Sequence, residues 1–329
     1  MTKKLKNYEV LVRALNNFSL VNLDVNVLRK GENVFKKIKE SMASGWPVPC
    51  LSFIEENDEP FTLQTENDSK NWDGTLEYSI DTKNWSEWDG TEINSSDDGK
   101  LYLRGTGNSN VTSYGNSCFV LTDEKRIQCL GNIEALLDYK TVGAGRHPKM
   151  GNNCYNNMFY NCASLTQAPE LPAITLTDRC YKDMFYACSS LAQAPELPAT
   201  TLAHECYNTM FYNCTSLTAA PELPATTLAE SCYEGMFEGC ASLIKTPKLP
   251  AATLELHCYY AMFRDCSSLT QAPDLPATTL ANACYNSMFE GCASLAGAIH
   301  CPASTANDAN RPDADANIPA GTAIVVYDL

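Results

Sequence analysis

Cys154-Tyr155-Asn156-Asn157-Met158-Phe159-Tyr160-Asn161-Cys162-Ala163-Ser164-Leu165 is the first of six copies of one pattern, C-Y-x-x-M-F-x-x-C-x-S-L. The copies open at Cys154, Cys180, Cys206, Cys232, Cys258 and Cys284, a period of 26 residues, and five of them continue into P-x-L-P-A-x-T-L. A fixed period of this length, with apolar residues recurring in register, predicts stacked repeats that bury a shared core. Cys154, Met158 and Cys162 have the i, i+4, i+8 spacing of one helical face, and the Leu165-Thr166-Gln167-Ala168-Pro169-Glu170-Leu171 half reads as a short extended segment. The expected fold is multidomain: a short helical N-terminal segment, a small all-β, sandwich-like domain, and a solenoid of 26-residue repeats.

Outward from the repeats, the pattern changes. Residues 1–48 contain two helix-like stretches, 8–18 and 33–42, and the second carries Lys36, Lys37 and Lys39 around the apolar Phe35, Ile38 and Met42. Those lysines suit a solvated surface helix or a helix that anchors the chain to an acidic partner in a larger assembly. Residues 49–141 hold short alternating runs such as Leu76-Glu77-Tyr78-Ser79-Ile80 and Leu101-Tyr102-Leu103-Arg104, with Asp73-Gly74, Asp89-Gly90 and Asp98-Gly99 at the joints, the pattern of a β domain. Residues 142–303 form the repeat region, entered through the Gly-rich connector 143–151, and 304–329 a cap whose Ile324-Val325-Val326-Tyr327 reads as a closing strand. Gly143-Ala144-Gly145-Arg146 lacks the Lys-Ser/Thr pair of a phosphate-binding loop.

Composition narrows the function. The net charge of -15 disfavours nucleic acid as a partner. The acidity is uneven: residues 1–50 hold nine of the 24 basic and four of the 39 acidic residues, net +5, which leaves the remainder at net -20. No apolar run is long enough to insert in a membrane, and the N-terminus leads into no signal-type apolar core, so synthesis and folding in a cytoplasm are expected. Twelve of the sixteen cysteines fall in two columns eight residues apart, where repetition explains them as buried thiols. Neither cysteine spacing nor clustered histidine supports a metal site, and the tyrosine, methionine and phenylalanine columns read as core packing, so no cofactor is expected. His204, His257 and His300 occupy nonequivalent repeat columns and no catalytic constellation emerges, which points to a non-enzymatic protein.

At M-F-x-x-C-x-S-L-T and L-P-A-T-T-L the chain resembles the BspA-like leucine-rich repeats of bacterial surface proteins, in the variant with an upstream β domain, and also adhesive modules encoded by bacteriophages. The resemblance covers residues 154–298 and, more weakly, parts of the middle domain. It implies a right-handed, leucine-rich-repeat-type solenoid of short strands and helical turns, with roles in adhesion and protein binding. The expected absence of a signal peptide departs from the exported members and favours assembly inside a cell, for instance onto a virion, for host attachment.

If packing fixes the invariant columns, recognition belongs to the variable ones. Glu170, Glu196, Glu222, Lys248 and Asp274 form an acidic ladder suited to a solvated face, a cationic partner or an ion. Tyr160, Tyr186 and Tyr212 form an aromatic strip confined to the first three copies. Trp85 and Trp88 of the β domain suit sandwich packing or stacking on sugar rings, and Asp308, Asp313 and Asp315 lack the loop spacing of a calcium site. The expected function is attachment to a protein or glycan on a bacterial cell surface, with a structural role in a particle and a carbohydrate-binding module as alternatives.

Overall fold

The computed structural model describes residues 48–112, 118–121, 125–296, 298–312 and 324–327. The expected N-terminal helices, with Lys36, Lys37 and Lys39, lie outside the described residues, as do Asp313 and Asp315.

Alternation of buried and half-exposed residues builds the first strands. In β1 (Leu51–Glu55), Leu51, Phe53 and Glu55 point inward, and in β6 (Lys100–Thr106) Leu101, Leu103 and Gly105 do the same. These two pair antiparallel, with Phe53 opposite Leu101. β3 (Thr75–Ser79) and β4 (Ser86–Trp88) extend the sheet on one side. β8 (Ile127–Leu130) and β9 (Leu165–Gln167) extend it on the other, giving the order β4-β3-β6-β1-β8-β9. A second sheet, β5-β2-β7, consists of β2 (Thr62–Thr65), β5 (Ile93–Asn94) and β7 (Phe119–Leu121). Neither sheet closes on itself.

The single α-helix among the described residues, α1 (Ala135–Gly143), packs on β6. It kinks at Asp138, whose carboxylate accepts hydrogen bonds from the Lys140 and Thr141 amides and so caps the second turn.

The β9 strand belongs to the first repeat, and its parallel pairing with β8 carries the sheet across the expected boundary between β domain and repeats. One apolar cluster runs from Leu51 to Cys301. Tyr155, Tyr181, Tyr207, Tyr233, Tyr259 and Tyr285 stack face to face at 5.5–6.0 Å between ring centroids. Phe159, Phe185, Phe211, Phe237, Phe263 and Phe289 stack at 5.5–5.9 Å.

The local structure of the copies overturns the expected fold class. No helical face forms at 154–162. The i, i+4, i+8 spacing is met by a train of four-residue turns, with Asn153, Asn157 and Asn161 each left-handed at φ 59°. Backbone donors alternate along the train. Asn156, Met158, Tyr160 and Cys162 bond three residues back, whereas Tyr155, Asn157, Phe159 and Asn161 donate to the next copy, at Cys180, Lys182, Met184 and Tyr186. An α-helix would spend all of these donors internally. The outward half explains why the copies cohere, and it offsets the roughly 1–2 kcal/mol that a left-handed non-glycine residue costs.

The expected strand at 165–171 forms in the first copy over 165–167 and, among the other copies, returns in the sixth over 298–301. Later copies show isolated bridges such as Thr175↔Thr201 and Ala219↔Lys245. Two prolines in each P-x-L-P-A segment remove the donors a continuous ladder needs. The architecture is therefore not a sandwich followed by a leucine-rich-repeat-type solenoid. Open, mixed sheets with one helix lead into stacked turns.

Toward the C-terminus, β10 (Ala298–Cys301) and β11 (Ile324–Tyr327) pair in parallel with Ala298 opposite Ile324, a separation equal to one repeat. A single 3-10 turn, Ala303–Thr305, follows β10. No helix among the described residues is long and apolar enough to cross a membrane.

Candidate functional site: an aromatic strip and its neighbours

The turn train places each residue type in a column with its counterparts. Cys162, Cys188, Cys214, Cys240, Cys266 and Cys292 donate their thiols to the carbonyls of Phe119, Phe159, Phe185, Phe211, Phe237 and Phe263, at 2.9–3.1 Å. All sixteen cysteines are free thiols, and every one except half-buried Cys50 is buried. Burial pushes Cys206 and Cys258 up to about 12 and raises Cys188, Cys240 and Cys266 well above the ordinary thiol value, so these thiols stay protonated and unreactive. They are structural, which leaves the solvent-facing columns to carry function.

Tyr160, Tyr186 and Tyr212 follow the buried phenylalanines in sequence and are half-buried. Their rings stack face to face, 4.6 Å apart for Tyr160 and Tyr186 and 4.4 Å for Tyr186 and Tyr212, with interplanar angles of 15° and 7°. The spacing is closer than in the buried ladders. Desolvation and the neighbouring hydroxyls of Tyr212 and Tyr160 push Tyr186 up to about 12. Tyr186 therefore presents a neutral hydroxyl and a ring edge, with both of its faces covered.

The same column turns ionic at the fourth copy. Glu238, 6 % exposed, is bound by the Arg264 guanidinium, with Nε 2.8 Å from Oε1. Desolvation raises its pKa and Arg264 opposes that.

Glu170, Glu196, Glu222, Lys248 and Asp274 are all exposed along another edge. Partial desolvation by its neighbours and then the Glu196 charge raise the pKa of Glu170. No group of three or more potential ligands that could hold a metal ion occurs among the described residues. Asp308 accepts from the backbone and side chain of Asn310.

The two tryptophans part company. Trp88 is 1 % exposed, stacks on Trp72 at 5.1 Å and donates its indole N–H to the Thr91 carbonyl, so no sugar ring reaches it. Trp85 is half-buried and covered on one face by Arg104, whose guanidinium carbon lies 4.0 Å from that ring and 4.4 Å from Tyr139. Glu77 holds Arg104 Nε at 2.7 Å.

Two charged clusters have no counterpart in the sequence-based expectations. Glu205 accepts from Arg179 Nε and Nη2 at 3.0 and 3.1 Å and from Lys182 at 2.5 Å. Arg179 and then Lys182 hold it down to about 2. Glu134, 2 % exposed at the start of α1, faces His147 Nδ1 at 2.8 Å, and burial raises its pKa. Arg179 and Glu205 share one column, so 26-residue spacing of opposite charges is the signal for the first cluster. No such signal marks the second.

Compared with protein-family models, curated proteins and solved structures, the chain matches none.

Proposed function

We propose that this chain is a non-enzymatic attachment protein that recognises a protein on a bacterial cell surface through the columns bordering the Tyr160–Tyr186–Tyr212 strip. One observation supports this most strongly. Three large aromatic side chains stay half-exposed and mutually ordered where every other aromatic column of the stack is buried. Ordered tyrosines anchor interfaces at small entropic cost, since their rotamers are already fixed.

Tyr186, at the centre of the strip, has no ring face free for a sugar to stack on, which favours a protein over a glycan there. The reading includes carriage on an extracellular particle, a phage virion by the resemblance, with residues 1–48 as the anchor. The test is binding of the labelled full chain to intact bacteria. Protease treatment of the cells should abolish binding and periodate oxidation of their glycans should leave it. Loss with periodate alone would reverse the choice of ligand, and binding indifferent to both would reject the reading.

A further inference from the structure

The aromatic strip ends at a cavity, and its geometry follows from the register of β7 on the first repeat. The Phe119 amide donates to the Met158 carbonyl as Phe159 donates to Met184, and the Phe119 carbonyl accepts the Cys162 thiol as Phe159 accepts Cys188. In backbone register Phe119 thus stands one layer below Phe159, with its ring meeting that of Phe159 edge-on, at 6.2 Å and 87°. Its neighbour Val120, 39 % exposed, occupies the column of Tyr160, Tyr186 and Tyr212. A valine stands where a fourth ring would stack.

The space that results is a cavity of about 180 Å³ beside Val120, Leu121 and Tyr160. That is many times the roughly 10–15 Å³ one water requires. It is smaller than the roughly 300–1,000 Å³ of a drug-sized site, and suits one side chain. Its polar wall carries Glu66, an exposed residue whose carboxylate accepts only the Cys118 thiol, at 3.4 Å, among the hydrogen bonds and ion pairs of the described residues. One face of Tyr160 is spent on Tyr186, and Tyr160 also lines the cavity.

We infer that this cavity is a guanidinium site, which takes an arginine side chain of the partner by stacking it on Tyr160 and pairing it with Glu66. A planar cation continues the ring stack where an ammonium would not, and its parallel N–H donors match a carboxylate. The chain builds the same arrangement for itself at Arg104, held between Trp85 and Tyr139 and hooked by Glu77. The net charge of -15 favours an arginine-bearing partner. The inference deepens the attachment reading and rests on it for the identity of the partner as a protein.

The test uses the full chain and three small probes, N-acetylarginine amide, N-acetyllysine amide and N-acetylcitrulline amide, titrated by calorimetry. Arginine amide should bind saturably, about tenfold more tightly than its uncharged citrulline isostere and several-fold more tightly than lysine amide. Glu66→Gln should erase the preference over citrulline. Val120→Tyr, which supplies the missing ring, should block the site while leaving the thermal midpoint near wild type. No saturable arginine binding, equal binding of citrulline, or binding unchanged in Glu66→Gln would overturn the site. The attachment reading would survive that failure, because the intact-cell assay does not depend on these probes.

Discussion

Replacing Tyr181 with phenylalanine should stabilise the chain. The Tyr181 ring is 1 % exposed between Tyr155 and Tyr207, and its hydroxyl is buried without a hydrogen-bond partner. A buried, unpaired polar group costs about 1–3 kcal/mol. Removing one oxygen leaves only a slight void, so the net gain should sit at the low end, about 1 kcal/mol. Tyr155 provides the control in the same column. Its hydroxyl donates to the Ile133 carbonyl at 3.3 Å, and Tyr155→Phe should cost about 0.5–1 kcal/mol. Guanidinium unfolding, followed by circular dichroism and by fluorescence to establish a single transition, would show the two midpoints moving in opposite directions. Tyr233 has the same unpaired hydroxyl two layers away, so the Tyr181→Phe and Tyr233→Phe gains should add. A destabilised Tyr181→Phe beside a neutral Tyr155→Phe would refute the hydrogen-bond assignment of this column.

Other consequences follow from the same geometry. Glu205 is held at about 2 when folded against an ordinary value of 4.5, so its stabilisation is fully present above pH 4.5 and is lost as pH falls toward 2. Discounted for screening at Arg179, which is 40 % exposed, it amounts to about 1–2 kcal/mol. Urea midpoints between pH 6 and pH 2.5 should therefore fall less steeply in Glu205→Gln than in wild type. Gly239 sits at φ 73° with Asn213 Oδ1 2.0 Å from the position of an added Cβ, so Gly239→Ala should cost about 1 kcal/mol or more in thermal unfolding. Ala187→Gly, in the same left-handed column at φ 56°, should be neutral or stabilising. Thiol titration of the native chain should label fewer than one cysteine on average, with Cys50 first, and unfolding should expose all sixteen; stoichiometric disulfides would contradict this.

The residues made some levels of this structure legible and hid others. Repetition alone placed Tyr155, Met158, Phe159 and Cys162 in buried columns, because a side chain that recurs every 26 residues meets its own copy. Helix against turn was not decidable from the same stretch. Spacing by four describes a helical face and a train of four-residue turns equally, and left-handed Arg179 and Thr209 are residue types that give no warning. The fates of Trp85 and Trp88 depended on register: pairing of Leu76 with Trp88 puts both on the inner face, whereas Trp85 precedes the strand. The Val120 cavity was hidden for a related reason. Phe119 and Val111 stand eight residues apart where Phe159 and Tyr155 stand four apart, so the layer below the first repeat does not read as a copy.

The attachment account concentrates recognition in one strip, and a comparison of two triple variants tests it most directly. Binding of the full chain to intact bacteria should fall at least tenfold when Tyr160, Tyr186 and Tyr212 are all replaced by serine, with the circular dichroism spectrum and thermal midpoint showing a folded protein. Replacement of Glu170, Glu196 and Glu222 by glutamine, on the other exposed edge, should change binding by less than about threefold, as expected of charges outside an interface core. A folded tyrosine variant that attaches as well as wild type would contradict the account.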